Sequence, residues 1–180
     1  EGVLRLGSRT LIMGVVNVTP DSFAGDGHAD PTSAIAKGLA LVDAGADILD
    51  VGGESTRPGA TPLDVETERR HVAPVIEALV NQTNVPVSVD TYKAVVARTA
   101  LNCGASLVND VSGLRYDPAL AGEVVARRAG LILSHTRGRS SDMYSQASYK
   151  AATEEIVSEL EWSLQAASDA GITREHVIVD

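Results

Sequence analysis

Cysteine is nearly absent from this chain, aromatic residues are scarce, and neither a long apolar run nor a cluster of basic residues occurs. The single cysteine, Cys103, closes no intramolecular disulfide, and no positively charged leader with an apolar stretch precedes the first motif, so a cytoplasmic protein is expected. The longest apolar runs fall far below the roughly 18 residues that a spanning helix needs, which leaves a membrane role without support. Charge argues against nucleic acid. Acidic residues number 24 against 15 basic ones, a formal net charge of −9, whereas a protein that neutralises phosphates along a groove carries a basic face. With one Phe, one Trp and four Tyr, the core has to be built from Ala, Val, Leu and Ile.

What is present describes a globular α/β chain. The 180 residues are 44% hydrophobic and 22% charged, enough for one sizeable core. Short aliphatic runs recur at 11–17, 47–52, 85–90, 106–110, 130–135 and 176–180. Each is apolar throughout rather than alternating, the pattern of a strand covered on both faces by helices. Between them, Ile35, Leu39 and Val42 share one helical face, as do Ile156, Leu160, Leu164 and Ala167. Asp30-Pro31, Thr61-Pro62 and Asp117-Pro118 read as helix starts, and Gly45, Gly104 and Gly171 as left-handed helix ends. Pro74 is expected to break or kink the second helix. The order βαβαβαβαβαβ implies a parallel sheet in one domain. A doubly wound sheet would place a glycine-rich phosphate turn after the first strand, but Asn17-Val18-Thr19-Pro20-Asp21-Ser22-Phe23 stands there instead. Polar residues close every run, as at the mouth of a (β/α)₈ barrel.

Those strand ends are Asn17, then Asp50 with Glu54 just beyond, then Asp90, Asn109-Asp110, His135 and Asp180. Carboxylates and carboxamides that converge on one mouth suit a small heterocycle rich in N–H donors. For any one of them, capping of the following helix explains the residue about as well; Asp90 and Asp110 are both placed to do so. The segment Gly52-Gly53-Glu54-Ser55-Thr56-Arg57-Pro58-Gly59-Ala60 combines backbone N–H groups, two hydroxyls and a guanidinium, the makings of an anion cradle. Thr19 to Ala29 holds the only phenylalanine, Phe23, among glycines and reads as a lid. His71 is expected to be solvated, Cys103 to be a small core residue, and His135 has no second ligand at zinc spacing. No covalent nucleophile is evident.

Together the segments MGVVNVTPDSF, AGADILDVGGESTRPGA, SVDTYK, LVNDVSG, LSHTRG and HVIVD resemble the dihydropteroate synthase family, in the same order and at similar intervals along essentially the whole chain. The two long segments are highly specific; the short ones alone would mean little. The resemblance implies a (β/α)₈ TIM barrel and a transferase of folate biosynthesis. That enzyme joins para-aminobenzoate to 7,8-dihydropterin-6-ylmethyl pyrophosphate and releases pyrophosphate. It also implies that Asp90, Asn109 and Asp180 hold the pterin and that Asn17 meets magnesium and pyrophosphate. Ser55, Thr56 and Arg57 would meet the anion, and Phe23 and Pro58 would lie in loops that order around para-aminobenzoate. On the same footing, Mg²⁺ is the expected metal, a homodimer the expected assembly, and sulfonamides the expected inhibitors.

The chain departs from the family pattern in three places. The first loop reads DSFAGDGHADP, and Ser134 and Thr136 stand where methionine is frequent. The family's lysine of the seventh strand and its arginine and histidine of the eighth have no counterpart within the 180 residues. The expectation is therefore a single pterin-binding barrel domain over 1–180 that carries about six βα units and lacks the last two. Two other readings stay open. One is a pterin-binding domain of the methyltetrahydrofolate-binding methyltransferase type, against which the NVTPDSF and ESTRPG loops argue. The other is a truncated, non-catalytic homologue.

Overall fold

Each short aliphatic run becomes a strand, and each amphipathic stretch after it returns the chain to the same edge of the sheet. The computed structural model describes residues 4–18, 31–55 and 59–180. Its elements are β1 (Met13–Asn17), α1 (Pro31–Asp43), β2 (Ile48–Gly52), α2 (Val65–Gln82), β3 (Val87–Asp90), α3 (Ala94–Asn102), β4 (Leu107–Asp110), α4 (Leu120–Arg127), β5 (Gly130–Leu133), α5 (Met143–Gln146), α6 (Ala152–Asp169) and β6 (Val177–Val179). All strands are parallel, in the order β1-β2-β3-β4-β5-β6. Sequential neighbours in one parallel sheet are the wall of an α/β barrel rather than a doubly wound sheet, whose strand order reverses. The short α5 is an addition to the simple alternation read from the pattern.

The core lies between this wall and the helices and is aliphatic, as the shortage of aromatics requires. Leu49, Val51, Val89, Val108, Leu131 and Leu133 meet Val72, Val75, Ile76, Leu79, Val96 and Leu120 there, all fully shielded from water. Burial on both faces holds for β2 but not for β1, which alternates, or for β6. These two are the edge strands of the described sheet, and Val15 and Val179 on them are 51% and 44% exposed. No helix among the described residues is long and apolar enough to cross a membrane.

Helix boundaries follow the expected chemistry at some ends only. Gly45, Gly104 and Gly171 have φ of 102°, 101° and 95°, the left-handed conformation that glycine alone adopts freely. Asp117-Pro118 does not start α4, which begins at Leu120 with Ala119 as its cap; Asp117 Oδ1 accepts from the N–H of Ala119 in the turn before it, and Oδ2 from that of Ala94, the first residue of α3, at 3.1 and 2.8 Å. Thr61-Pro62 likewise does not start α2. The cap is Asp64, whose Oδ1 accepts from the N–H of Thr67 at 2.9 Å. Nor does Pro74 divide this helix. Its missing N–H removes one bond, while Val72, Val75, Ile76 and Leu79 on both sides of it stay buried and keep the helix continuous.

Candidate active site

Strand register brings the polar strand ends into one row. Asn17 pairs with Gly52, Gly52 with Asp90, and Asp90 with Asn109, so these residues lie side by side across four strands. One pleat repeat earlier, Asp50 pairs with Ser88. Residues two apart share a face of a strand. Asp50, Ser88, Asp90 and Asn109 therefore face the same side of the sheet. Gly52 makes room within the row, since a Cβ there would lie 3.2 Å from Oδ2 of Asp90. Gly53 makes room on the helix side instead. A Cβ at that position would meet Val72 and Glu68 at 2.8 and 2.9 Å, so its absence lets α2 approach β2. Both glycines are buried and leave space, one for Asp90 and the other for α2.

The row has more acceptors than donors. Asn109 Nδ2 donates to Asp50 Oδ2 at 2.9 Å, while Asp50 Oδ1, Asn109 Oδ1 and Ser88 Oγ are buried with no hydrogen-bond partner among the described residues. Burial pushes the Asp50 carboxyl above its ordinary range. Asp90 is pushed well above that range, chiefly by burial and then by the charges of Asp50, Glu68, Asp110 and Glu54. Asp110 neither joins the row nor caps a helix, since it organises the turn after β4 and α4 begins only at Leu120. It points away from Asn109 and accepts from Ser112 N, Ser112 Oγ and Leu114 N at 2.8, 2.7 and 2.6 Å. These bonds hold Leu114 at φ 65°, an uncommon conformation for a non-glycine residue. Asp180 extends the β5–β6 pairing, with its N–H on Leu133 O and its own carbonyl receiving the His135 N–H. Its Oδ2 lies 3.4 Å from the Ser134 hydroxyl.

Beside the row lies a buried ion cluster that no spacing in the sequence announces. Lys93 Nζ donates to Glu54, to Glu68 and to the carbonyl of Leu63. Glu68 also accepts from Thr91 Oγ1 at 2.7 Å, and Glu54 from Tyr92 OH at 2.9 Å and Leu63 N at 2.8 Å. Glu68 is 1% exposed and Lys93 8%. Burial disfavours the Lys93 cation, but its two carboxylates outweigh that and hold its pKa above the ordinary lysine value. Only the partial periodicity of α2, with Glu68 on the same face as Val72 and Val75, hints at a buried acid there.

The histidines and the cysteine are settled by packing. His71 is half-buried, not solvated, with Nδ1 unpartnered, and burial lowers its pKa. His135 Nε2 lies 2.8 Å from Glu159 Oε2. Cys103 caps α3 and is half-buried. Phe23, Thr56, Arg57 and Pro58, and with them the lid, lie outside the described residues; Ser55 and Asn17 lie within them.

Comparison with known proteins decides the family. The model of the pterin binding enzyme family matches residues 13–180. The chain belongs to the pterin binding enzymes. It is 39% identical over 173 residues to the dihydropteroate synthase of Bacillus subtilis, covering 96% of this chain and 58% of that one. Among solved structures, Xanthomonas albilineans dihydropteroate synthase with 4-aminobenzoic acid superposes with a TM-score of 0.87 at 45% identity, over 96% of this chain and 61% of that one. The same enzyme in complex with 7,8-dihydropteroate gives 0.82 at 40% identity, over 96% and 60%. The chain thus spans about three-fifths of the length of these pterin binding enzymes. Their likeness extends over the six consecutive parallel strands described above and the helices between them, and the row Asn17–Gly52–Asp90–Asn109 falls inside the matched segment.

Proposed function

We propose that this chain carries the pterin half of a dihydropteroate synthase, which joins para-aminobenzoate to 7,8-dihydropterin-6-ylmethyl pyrophosphate and releases pyrophosphate. The observation that carries the reading is the acceptor-rich row. Asp90 stands among Asp50, Glu54, Glu68 and Asp110, while the one lysine in contact with these acids is committed to Glu54 and Glu68. A pterin ring rich in donors offsets that surplus of acceptors when it enters as their hydrogen-bond partner, with Asp90 and Asn109 on its ring N–H groups and Asp180 as the third contact.

The chemistry this supports is a displacement in which pyrophosphate leaves first. The carbon–oxygen bond of the 6-methylene breaks with both electrons on the leaving group, and the resulting cation is delocalised over the pterin nitrogens. Asp90 beside that ring favours positive charge as it develops. Ser55, Thr56 and Arg57 receive the departing anion, with Phe23 and Pro58 flanking para-aminobenzoate, whose amine then bonds to the methylene and sheds a proton. No covalent nucleophile is required. Mg²⁺ fits this end of the site: Asn17 is exposed at the mouth end of β1, and this ion takes one or two protein oxygens together with substrate phosphate oxygens. When bound, the ion neutralises charge on the pyrophosphate. Among the described residues no three acidic, His or Cys side chains group to hold a metal by themselves.

The test uses the protein at its full natural length, with pterin pyrophosphate, para-aminobenzoate and Mg²⁺. Pyrophosphate and dihydropteroate should appear in equal amounts. Absence of both products, or much tighter calorimetric binding of methyltetrahydrofolate than of the pterin pyrophosphate, overturns the reading. Arg57→Ala should weaken the pyrophosphate-bearing substrate by about 10–100-fold, the loss of a charge-assisted contact, and leave a bare pterin nearly unaffected.

A further inference from the structure

Asp90 is aimed without being tethered. Among the described residues no hydrogen bond reaches its carboxylate, which is surrounded by apolar burial and by the charges of other acids. A side chain left free in this way takes its direction from the main chain that carries it and from what holds that chain. The sheet holds it on one side. Asp90 pairs with Gly52 and with Asn109, and the Thr91 N–H carries the ladder one residue further, to Asn109 O at 3.1 Å. There β3 ends, and the next support comes from a single hydroxyl. Successive side chains point to opposite faces of a strand, so Thr91 turns away from the row that Asp90 faces. Its Oγ1 donates to Glu68 Oε1 of α2 at 2.7 Å and accepts the Lys93 N–H at 3.2 Å.

Both partners are themselves fixed. Glu68 is 1% exposed and Thr91 3%, and the other oxygen of Glu68 takes the Lys93 ammonium. Gly53 admits the glutamate, because a Cβ there would lie 2.9 Å from Glu68 Cγ. Lys93 caps α3, and its carbonyl accepts the Ala97 N–H at 3.0 Å. One hydroxyl therefore joins the end of β3 to the start of α3 and to the inner face of α2. We propose that Thr91 is a positioning residue: held by Glu68, it fixes the turn that follows Asp90 and so sets the direction in which the Asp90 carboxylate meets the donor-bearing ring of the substrate. Glu68 then serves the site from behind the sheet, through Thr91 and the main chain, without contact with the row itself.

The inference rests on the functional reading for its ligand, and the two are tested apart. In the full-length protein, Thr91→Val keeps the branched shape and deletes the hydroxyl. It should speed hydrogen exchange of the Lys93 amide by about tenfold and weaken a bare pterin about tenfold, although Thr91 lies on the other face of the strand. Thr91→Ser, which restores the hydroxyl, should bind within about threefold of the parent. The deciding measurement is a double-mutant cycle with Asp90→Asn, read by calorimetry. A residue that acts through Asp90 loses most of its effect once that carboxylate is gone, so Thr91→Val should cost no more than about threefold in the Asp90→Asn background. The same tenfold cost in both backgrounds, a serine variant as weak as the valine one, or unchanged Lys93 exchange in a folded Thr91→Val protein overturns the proposal. If Thr91→Val does not fold, Glu68→Gln replaces it in the cycle and should show the same coupling to Asp90; additive losses there overturn the proposal as well. If the unaltered protein binds no pterin, the proposed function falls, while the exchange measurement still decides whether Thr91 holds the turn.

Discussion

Two groups of carboxylates lie side by side at the ends of β2 and β3, and they differ in how they are satisfied. Glu54 and Glu68 share Lys93 and take further bonds from Tyr92, Thr91 and the backbone of Leu63. Asp50 and Asp90 share no cation among the described residues, and buried acceptors remain unpaired around them. Burial alone cannot explain the contrast, since both groups are largely buried. What separates them is destination. An acid with its full complement of internal donors is accounted for by the scaffold, while an acid short of donors is where the proposed pterin would bind.

The largest effect should come from breaking the satisfied group. Lys93→Met leaves Glu54 and Glu68 buried without their cation, a change that costs about 3–5 kcal/mol in comparable buried pairs. The Lys93→Met, Glu68→Met double variant should recover only part of that loss, because Glu68 no longer needs the cation while Glu54 still lacks it. Urea unfolding at pH 7 measures both. A single variant as stable as the parent would show that the cluster is better hydrated than its burial implies.

Breaking the unsatisfied group should have the opposite sign on stability. Asp90 has its pKa raised in the folded state, so its contribution to stability is complete below the unfolded value and is lost as pH rises through the folded one. At pH 7 the unliganded protein therefore carries a penalty that Asp90→Asn relieves, so the variant should be the more stable of the two. The same substitution should cost about 10–100-fold in affinity for both the pyrophosphate-bearing and the bare pterin. Thermal unfolding between pH 4 and pH 8 checks the first statement, as the parent's decline with pH should flatten in the variant. Calorimetry checks the second. A variant less stable than the parent at pH 7 would place Asp90 with the scaffold acids.

This division bears on what could be read from the residues alone. The strands were legible because buried parallel strands are continuous aliphatic runs, and the register then carries Asn17, Asp90 and Asn109 into one row automatically. The glycine helix ends were legible because positive φ leaves few other choices. The buried ion cluster was not: Lys93 and Glu68 are 25 positions apart, and a lysine or glutamate on a helix or loop ordinarily reads as solvated. Thr61-Pro62 misled for a related reason. Leu63, one residue on, has both backbone groups engaged by Glu54 and Lys93, which keeps the segment out of the helix and leaves the cap to Asp64. Long-range pairing overrode local propensity at both places. The residues that would meet the anion and para-aminobenzoate, Thr56, Arg57, Pro58 and Phe23, lie outside the described residues and rest on the sequence motifs alone.

A third charge cluster sets the scale for the other two. Just beyond β5, Arg137 pairs with Glu155 at 2.6 Å and with Glu159, stacks 4.0 Å from the Tyr149 ring, and Glu159 also meets His135. The Arg137 hydrogen bond draws the Glu159 carboxyl down to about 2 against the opposing effect of burial, with His135 adding to the pull. The stability it contributes is present above the ordinary glutamate range and is lost as pH falls toward 2. Yet the Arg137 and Glu159 side chains are 20% and 26% exposed, so water and salt screen the pair. Glu159→Gln should therefore cost no more than about 1 kcal/mol at pH 7, despite a more complete set of partners than many scaffold acids have. The difference from the parent should shrink as salt is raised and as the pH drops below the ordinary glutamate range. A loss as large as that of Lys93→Met would mean that burial is not what gives the inner cluster its weight, and the contrast between scaffold acids and waiting acids would have to be redrawn on pairing alone.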